Sequence, residues 1–235
     1  MTRMAPPLTA WAWALPSTSD RSALQTATLA AEACSPPLLG VSLNHLAHLF
    51  LAPDSPKARV GSLLGDFARG IVPDELPREV RVGLRHHRAV DAFTDQHSQV
   101  IASKRLFSPQ RRRFSGVALD ILYDHYLLRN WQCFSHVDSD TFIDQVYREL
   151  DENASLMPDR MQRVTQQIVL HDWFHSYQDI DNIGYALDRV ANRIRFRNAF
   201  SGIIEEIKTH DQELERRFLS FFPELKHFAT KDFEC

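Results

Sequence analysis

The spacing of apolar residues is the feature that most restricts the fold of this 235-residue chain. From about residue 42 onward, apolar side chains recur at intervals of three and four, which places them on one face of an α-helix. No segment shows the sustained alternation that is typical of a β-strand, and glycine, at 8 residues, is sparse. We therefore predict one all-α domain of about seven or eight helices over residues 41–235, a length that suits a single domain.

Local signals predict where several of these helices lie. Two amphipathic stripes are expected to face the core: Phe142, Ile143, Val146, Tyr147 and Leu150, and then Ile183, Leu187, Val190 and Ile194. Helix starts are expected at Ser55-Pro56, Ser108-Pro109, Pro77 and Pro158, because proline is favoured in the first turn. A long last helix is predicted from about Asn198 to Phe221, ended by Pro223.

The first 40 residues differ from the rest. They hold five of the twelve prolines together with many alanines, serines and threonines, so residues 1–40 are predicted to be a poorly ordered N-terminal extension. A signal peptide is the alternative, but the apolar run from Leu8 to Leu15 is short and Pro16 closes it. A start codon assigned too far upstream would also explain this segment.

Charge and cysteine content narrow the class of protein. The formal net charge of −3 does not suggest a nucleic-acid partner. No apolar run reaches the length of about 20 residues that a membrane-spanning helix needs. Three scattered cysteines suit reduced thiols, so we expect a cytoplasmic protein.

Polar residues in an apolar helical segment give the strongest functional signal. Asp120 and Asp124 lie four residues apart, so both carboxylates point the same way on a helix, and His125 follows directly. Such groups are costly to bury unless a partner compensates them, and a divalent metal ion suits carboxylate and imidazole together. We therefore predict a metal site of the kind that hydrolyses phosphate esters. A buried ion pair is the structural alternative.

A similar pattern occurs upstream. His87 and Asp91 are four residues apart, which predicts that they share a helix face, although an exposed helix-stabilising pair would have the same spacing. His48 and Asp66 each stand among apolar neighbours. Both could belong to the same site. The structural alternative is that His48 is a hydrogen-bonded core histidine and that Asp66 is a helix-end carboxylate beside Arg69.

Four segments in order resemble the acyl carrier protein phosphodiesterase family. They are Asn44-His-Leu-Ala-His-Leu49, Gly61-Ser-Leu-Leu-Gly-Asp-Phe-Ala-Arg-Gly70, His87-Arg-Ala-Val-Asp91 with Thr94-Asp95, and Leu119-Asp-Ile-Leu-Tyr-Asp-His-Tyr-Leu-Leu-Arg129 with Trp131. The resemblance runs from about residue 43 to 225 and continues through Trp173, Tyr177 and Asp181 to Phe221-Phe-Pro223. It implies an HD-domain-like helical phosphohydrolase. His45 is left out of the expected site, because the resembling sequences tend to carry an apolar or aromatic residue there.

The resemblance implies a function and a set of site residues. The expected reaction removes the 4′-phosphopantetheine group from holo-acyl carrier protein, with Mn²⁺ (or Mg²⁺) as cofactor. The expected metal ligands are His48, Asp66, His87, Asp120 and Asp124. The expected catalytic residues are Asp91, Asp124, His125 and Arg88. Substrate binding is assigned to Arg69, Arg129, Arg111 and Arg112, because guanidinium groups bind phosphate and would attract an acidic carrier protein.

Two other functions remain open at this point. The same metal site would also suit an HD-like phosphohydrolase that acts on a nucleotide or another small phosphoester. Alternatively, the arginine-rich faces would suit a helical protein that binds a carrier protein without catalysis. The residues leave the oligomeric state undetermined.

Overall fold

The computed structural model describes residues 45–194, 196 and 198–231. Within these residues the structure contains eleven α-helices and no β-strand, so the all-α prediction is confirmed and the helix count is somewhat higher than expected. The helices are α1 His45–Leu51, α2 Pro56–Leu64, α3 Arg78–Gln96, α4 Ser98–Lys104, α5 Ser115–Arg129, α6 Ser139–Glu152, α7 Asp159–Leu170, α8 Trp173–Ser176, α9 Ile180–Arg193, α10 Ile204–Thr209 and α11 Asp211–Lys231. The predicted extension over residues 1–40 lies outside the described residues. None of the helices in the described part of the chain is both long and apolar enough to cross a bilayer.

Helix α5 is the central element of the fold. From Ala118 to Leu128 every residue except Asp120 is buried, so this helix is enclosed on nearly all sides. It packs against α1, α4, α9 and α11. A helix with apolar residues around its whole circumference is expected in such a central position.

Helices α2 and α3 pack closely through two glycines. A Cβ atom on Gly61 would lie 2.1 Å from the backbone oxygen of Val80, and one on Gly83 would lie 1.9 Å from that of Ala58. The absence of both side chains therefore lets the two backbones touch. Gly65 at the end of α2 leaves space for the ring of His87 in the same way. A Cβ atom on Gly65 would lie 2.0 Å from Cδ2 of that ring.

A buried ion pair links α2 to α6. Nη1 of Arg59 contacts both carboxylate oxygens of Glu149, at 2.8 and 2.7 Å, and its Nη2 contacts Asp54 at 2.8 Å. The side chains of Arg59 and Glu149 are 9% and 11% exposed. These charge-assisted hydrogen bonds compensate two charges that would otherwise be costly to bury.

Several local predictions are confirmed. Ser55 caps α2 and Pro56 begins it, while α3 and α7 begin directly after Pro77 and Pro158. The two predicted stripes supply the buried faces of α6 and α9, with Ile143, Val146, Leu150, Ile183 and Leu187 in the core.

Two predicted boundaries are wrong. Ser108-Pro109 begins a turn, and α5 starts only at Ser115; the backbone N–H of Ser108 donates to Glu206 on α10, which holds this segment in a tertiary contact. The last helix starts at Asp211 and continues through Pro223 to Lys231. Pro223 lies on the exposed face, where water can solvate the carbonyl group that it leaves without a donor, and burial of Leu225 and Ala229 favours continuation of the helix.

Candidate metal centre

Two histidines from different helices meet one carboxylate at the surface of the core. Nε2 of His48 on α1 lies 3.1 Å from Oδ1 of Asp91, and Nε2 of His87 lies 3.1 Å from Oδ2 of the same carboxylate. The two imidazole rings stack with their centroids 4.0 Å apart. One potential ligand atom from each residue lies within 4.8 Å of the other two, a spacing that suits a single cation.

The pKa directions of His48 and Asp91 suit cation ligands, whereas the pKa of His87 is raised by two neighbouring carboxylates whose negative charge would also attract a cation. Burial is the largest cause that lowers the pKa of His48, followed by the neighbouring His87, and a lowered pKa favours the neutral imidazole. Burial opposes ionisation of Asp91, but contacts with His48 and His87 outweigh it and hold the pKa of this carboxyl well below its usual range. Burial also opposes protonation of His87, yet Asp91 and Asp66 raise its pKa on balance. Deprotonated carboxylate and neutral imidazole are the forms that bind metal ions.

His45 and Asp66 form a second pair beside this group. Nε2 of His45 lies 3.1 Å from Oδ2 of Asp66, and both side chains are almost fully buried. The other oxygen of Asp66 lies 3.8 Å from Nε2 of His87. His45 is not among the expected site residues, although its position three residues before His48 places both rings on neighbouring parts of one helix face.

Comparison with known proteins gives the family. A sequence model of the family described as acyl carrier protein phosphodiesterase matches residues 43–225. The chain belongs to the acyl carrier protein phosphodiesterase family. It is therefore an enzyme of the phosphodiesterase class of hydrolases, as predicted from the sequence.

Individual relatives agree with this assignment. The chain is 33% identical over 188 residues to the acyl carrier protein phosphodiesterase of Pectobacterium atrosepticum, covering 80% of this chain and 97% of that protein. It is 32% identical over 195 residues to the protein of the same name from Photorhabdus laumondii, covering 82% and 98%. The Serratia proteamaculans phosphodiesterase is 32% identical over 188 residues, covering 80% and 97%. No solved structure matches the chain.

Within the family segment, Asp124 supports the start of α1. Its two carboxylate oxygens accept the backbone N–H groups of Ala47 at 2.8 Å and Leu46 at 3.2 Å. Burial raises the pKa of this carboxyl well above its usual range, while the two backbone donors act in the opposite direction. The structure thus gives Asp124 backbone partners, and its expected contact with a metal ion stays a prediction.

The neighbouring residues of α5 have different surroundings. Asp120 does not belong to the three-residue group, but burial, and next the charge of Asp91, raise the pKa of its carboxyl to about 7. Nδ1 of His125 lies 2.8 Å from the carbonyl oxygen of Tyr177, and burial lowers its pKa. The expected roles of Asp120 as ligand and His125 as catalytic residue stay predictions.

The four arginines expected to bind substrate, together with Arg88 from the expected catalytic residues, fall into two groups. Arg129 pairs with Asp211 at 3.0 Å and Glu215 at 3.2 Å, and Arg111 pairs with Glu206 at 3.2 Å. Arg112 donates to the carbonyl oxygen of Phe107. By contrast, Arg69 and Arg88 are exposed and form no ion pair with any described residue. Arg112 is exposed and forms no ion pair either, but its Nη2 donates to the backbone of Phe107. Arg69 and Arg88 are the members of this set without such a bond, and their guanidinium groups are available to an anionic ligand.

Proposed function

We propose that this chain is a metal-dependent phosphodiester hydrolase that removes 4′-phosphopantetheine from holo-acyl carrier protein and releases apo-acyl carrier protein. Membership of the family supports the carrier protein as substrate. The observation that carries the metal dependence is the convergence of His48 and His87 on the two oxygens of Asp91.

The donor set fits a divalent transition-metal ion. His48, His87 and Asp91 would hold it through two imidazole nitrogens and a carboxylate oxygen. Because Mg²⁺ takes oxygen ligands almost exclusively, the two imidazoles favour Mn²⁺ over Mg²⁺. Neither ring nitrogen of buried His48 has a hydrogen-bond partner among the described residues, which leaves Nε2 available for coordination. Bound there, the ion would supply Lewis-acid polarisation of a phosphoryl oxygen.

The exposure of Asp91 sets the direction from which substrate approaches. Its side chain is 42% exposed, whereas His48 and His87 are buried behind it. Asp91 and Asp124 are the two carboxylates among the expected catalytic residues, and either could position the attacking water. Asp124 is fully buried and its oxygens already accept two backbone N–H groups, so the proposal gives this role to Asp91 in addition to its contact with the ion.

The substrate phosphate needs a cationic partner beside this carboxylate. Arg88 follows His87 directly on α3 and its side chain is exposed without an ion-pair partner in the described residues. A guanidinium group binds a phosphate through two parallel hydrogen bonds, and the same charge attracts an acidic carrier protein. The proposal therefore assigns the phosphodiester to Arg88, with Arg69 as the second available cation.

The test is incubation with holo-acyl carrier protein, with and without Mn²⁺, followed by measurement of the intact carrier-protein mass. We expect loss of the phosphopantetheine mass only when metal is present. Asp91→Asn should lower the rate by more than about 100-fold, because it removes a charged ligand. Asp95→Asn is the matched control, since this exposed carboxylate one turn further along α3 pairs with Lys104 and should not alter the rate. Hydrolysis that is independent of metal, or unchanged in Asp91→Asn, would contradict the proposal.

A further inference from the structure

His45 and Asp66 lie beside the three-ligand group without belonging to it. Nε2 of His45 and Oδ2 of Asp66 are buried, and neither atom has a hydrogen-bond partner among the described residues although they are 3.1 Å apart. Their alignment is therefore wrong for an N–H group of the ring to donate to the carboxylate. An unpaired nitrogen and an unpaired carboxylate oxygen in a buried position are costly unless another group satisfies both.

The same arrangement occurs in the first group. Nε2 of His48 also lies 3.1 Å from a carboxylate oxygen, of Asp91, and likewise has no hydrogen-bond partner in the described part of the chain. Two ligand atoms that each lie about 2.1 Å from one ion, with a right angle between their bonds to it, are about 3 Å apart. The lone pairs of both ligand atoms point at the ion rather than at each other. The His45 and Asp66 pair therefore repeats the spacing of ligand atoms that share a cation.

Asp66 connects the two positions. Its Oδ2 faces His45, whereas its Oδ1 faces Nε2 of His87 at 3.8 Å. In two-metal hydrolytic sites the ions are about 3.5–4 Å apart, which allows one carboxylate to bridge them. A carboxylate with its two oxygens directed at two different imidazole nitrogens has the placement of such a bridge.

We propose that His45 and Asp66 form a second divalent-cation position, so that the centre binds two ions with Asp66 between them. This inference rests on the metal dependence in the proposed function. Nε2 of His45 and Oδ2 of Asp66 are only two protein ligands. The remaining coordination positions are therefore left for water or for an oxygen of the substrate phosphodiester. An open position of this kind is what a catalytic rather than a structural ion requires.

The experiment counts bound Mn²⁺ directly. Metal-free protein is titrated with Mn²⁺, free Mn²⁺ is measured by electron paramagnetic resonance, and bound metal is checked by elemental analysis after dialysis. We expect two equivalents for the unaltered chain, with the spectrum of an exchange-coupled ion pair, and one equivalent for His45→Phe. His227→Phe is the matched control, because His227 is exposed on α11, and it should keep two equivalents. Circular dichroism of each variant establishes that it is folded.

Each outcome decides the inference. One equivalent in the unaltered chain, or two in a folded His45→Phe, would overturn it. If His45→Phe binds one equivalent with lower affinity and the unaltered chain also binds only one, then His45 orients Asp66 and no second position exists. The spectrum of the unaltered chain decides the question even if His45→Phe fails to fold. Turnover of holo-acyl carrier protein with one bound ion would overturn the second position and leave the proposed function intact. Two bound ions without turnover would support the second position and overturn the proposed function.

Discussion

Asp124 on α5 accepts the backbone N–H of Ala47 on α1 with 2.8 Å between the two atoms, so a buried carboxylate holds the start of the helix that carries His48. The N–H of Leu46 donates to the other oxygen of the same group. The first turn of a helix has N–H groups without partners, and α1 has no acidic residue of its own there. The central helix α5 thus caps α1 through Asp124, and in this way it fixes where the candidate ligand His48 lies.

Removal of this cap should destabilise the fold and weaken metal binding together. Asp124→Ala leaves two buried N–H groups without acceptors, so we expect a loss of about 3 kcal/mol in the free energy of unfolding and a melting temperature lower by roughly 6–12 °C. Displacement of α1 should also weaken Mn²⁺ binding about tenfold. Thermal unfolding and Mn²⁺ titration measure the two effects, and Asp144→Ala, at an exposed carboxylate on α6, is the control. A stable Asp124→Ala with unchanged metal affinity would exclude the capping role.

A methyl group on Gly65 should impair the centre more than the fold. In Gly65→Ala the added Cβ would lie 2.0 Å from Cδ2 of His87, so the ring must leave the position that it holds beside Asp91. We expect Mn²⁺ affinity to fall by about 10- to 100-fold, in the range seen when groups that orient metal ligands are removed. Gly116→Ala is the matched control, because its Cβ meets only Lys104 at the ordinary contact distance of 3.8 Å. Equal metal affinities in the two variants would show that metal binding by His87 does not require the space left by Gly65.

The buried pair of Arg59 and Glu149 should behave non-additively. Arg59→Met leaves the Glu149 carboxylate without its guanidinium partner, so we expect a loss of about 3 kcal/mol in the free energy of unfolding. The double variant Arg59→Met/Glu149→Met should recover much of this loss, because it removes the unpaired charge as well. Chemical denaturation of both variants measures the coupling. Additive losses would mean that the two side chains contribute independently.

Charge reversal at Arg88 should act on substrate binding. Since Arg88 is exposed and has no ion-pair partner in the described residues, Arg88→Glu should raise the KM for holo-acyl carrier protein about tenfold, and less so at high salt. Arg163→Glu on the exposed face of α7 is the control for a change in net charge. Initial rates at two ionic strengths give the comparison. An equal rise in KM for both variants would point to the overall charge instead of a local contact.

The local patterns predicted most of the helices, because amphipathic periodicity and proline position depend on a few neighbouring residues. The stripes of α6 and α9 and the start of α2 show this directly. Pro223 shows the limit of the same reasoning. Its effect on α11 depends on which face is exposed and on the burial of Leu225, and both are set by the packing of distant segments.

Spacing along one helix likewise predicted only part of how the site residues are grouped, and their roles stay predictions. Helical spacing placed His87 and Asp91 on one face, and they meet as an adjacent pair on α3. The same spacing did not show that Asp124 would face the backbone of α1, or that His45 would meet Asp66, because each contact joins separate helices.

The sequence by itself determined the helical class, the family and the set of polar residues that stand among apolar neighbours, since all three can be read along the chain. Only the tertiary structure decided how those polar residues are grouped. It brings His48 to His87 and Asp91, leaves Asp66 between His87 and His45, and uses Asp124 as a cap. The physical reason is that periodicity gives the direction of a side chain on its own helix, whereas ligand distances depend on how helices approach, here through the space left by Gly61, Gly65 and Gly83.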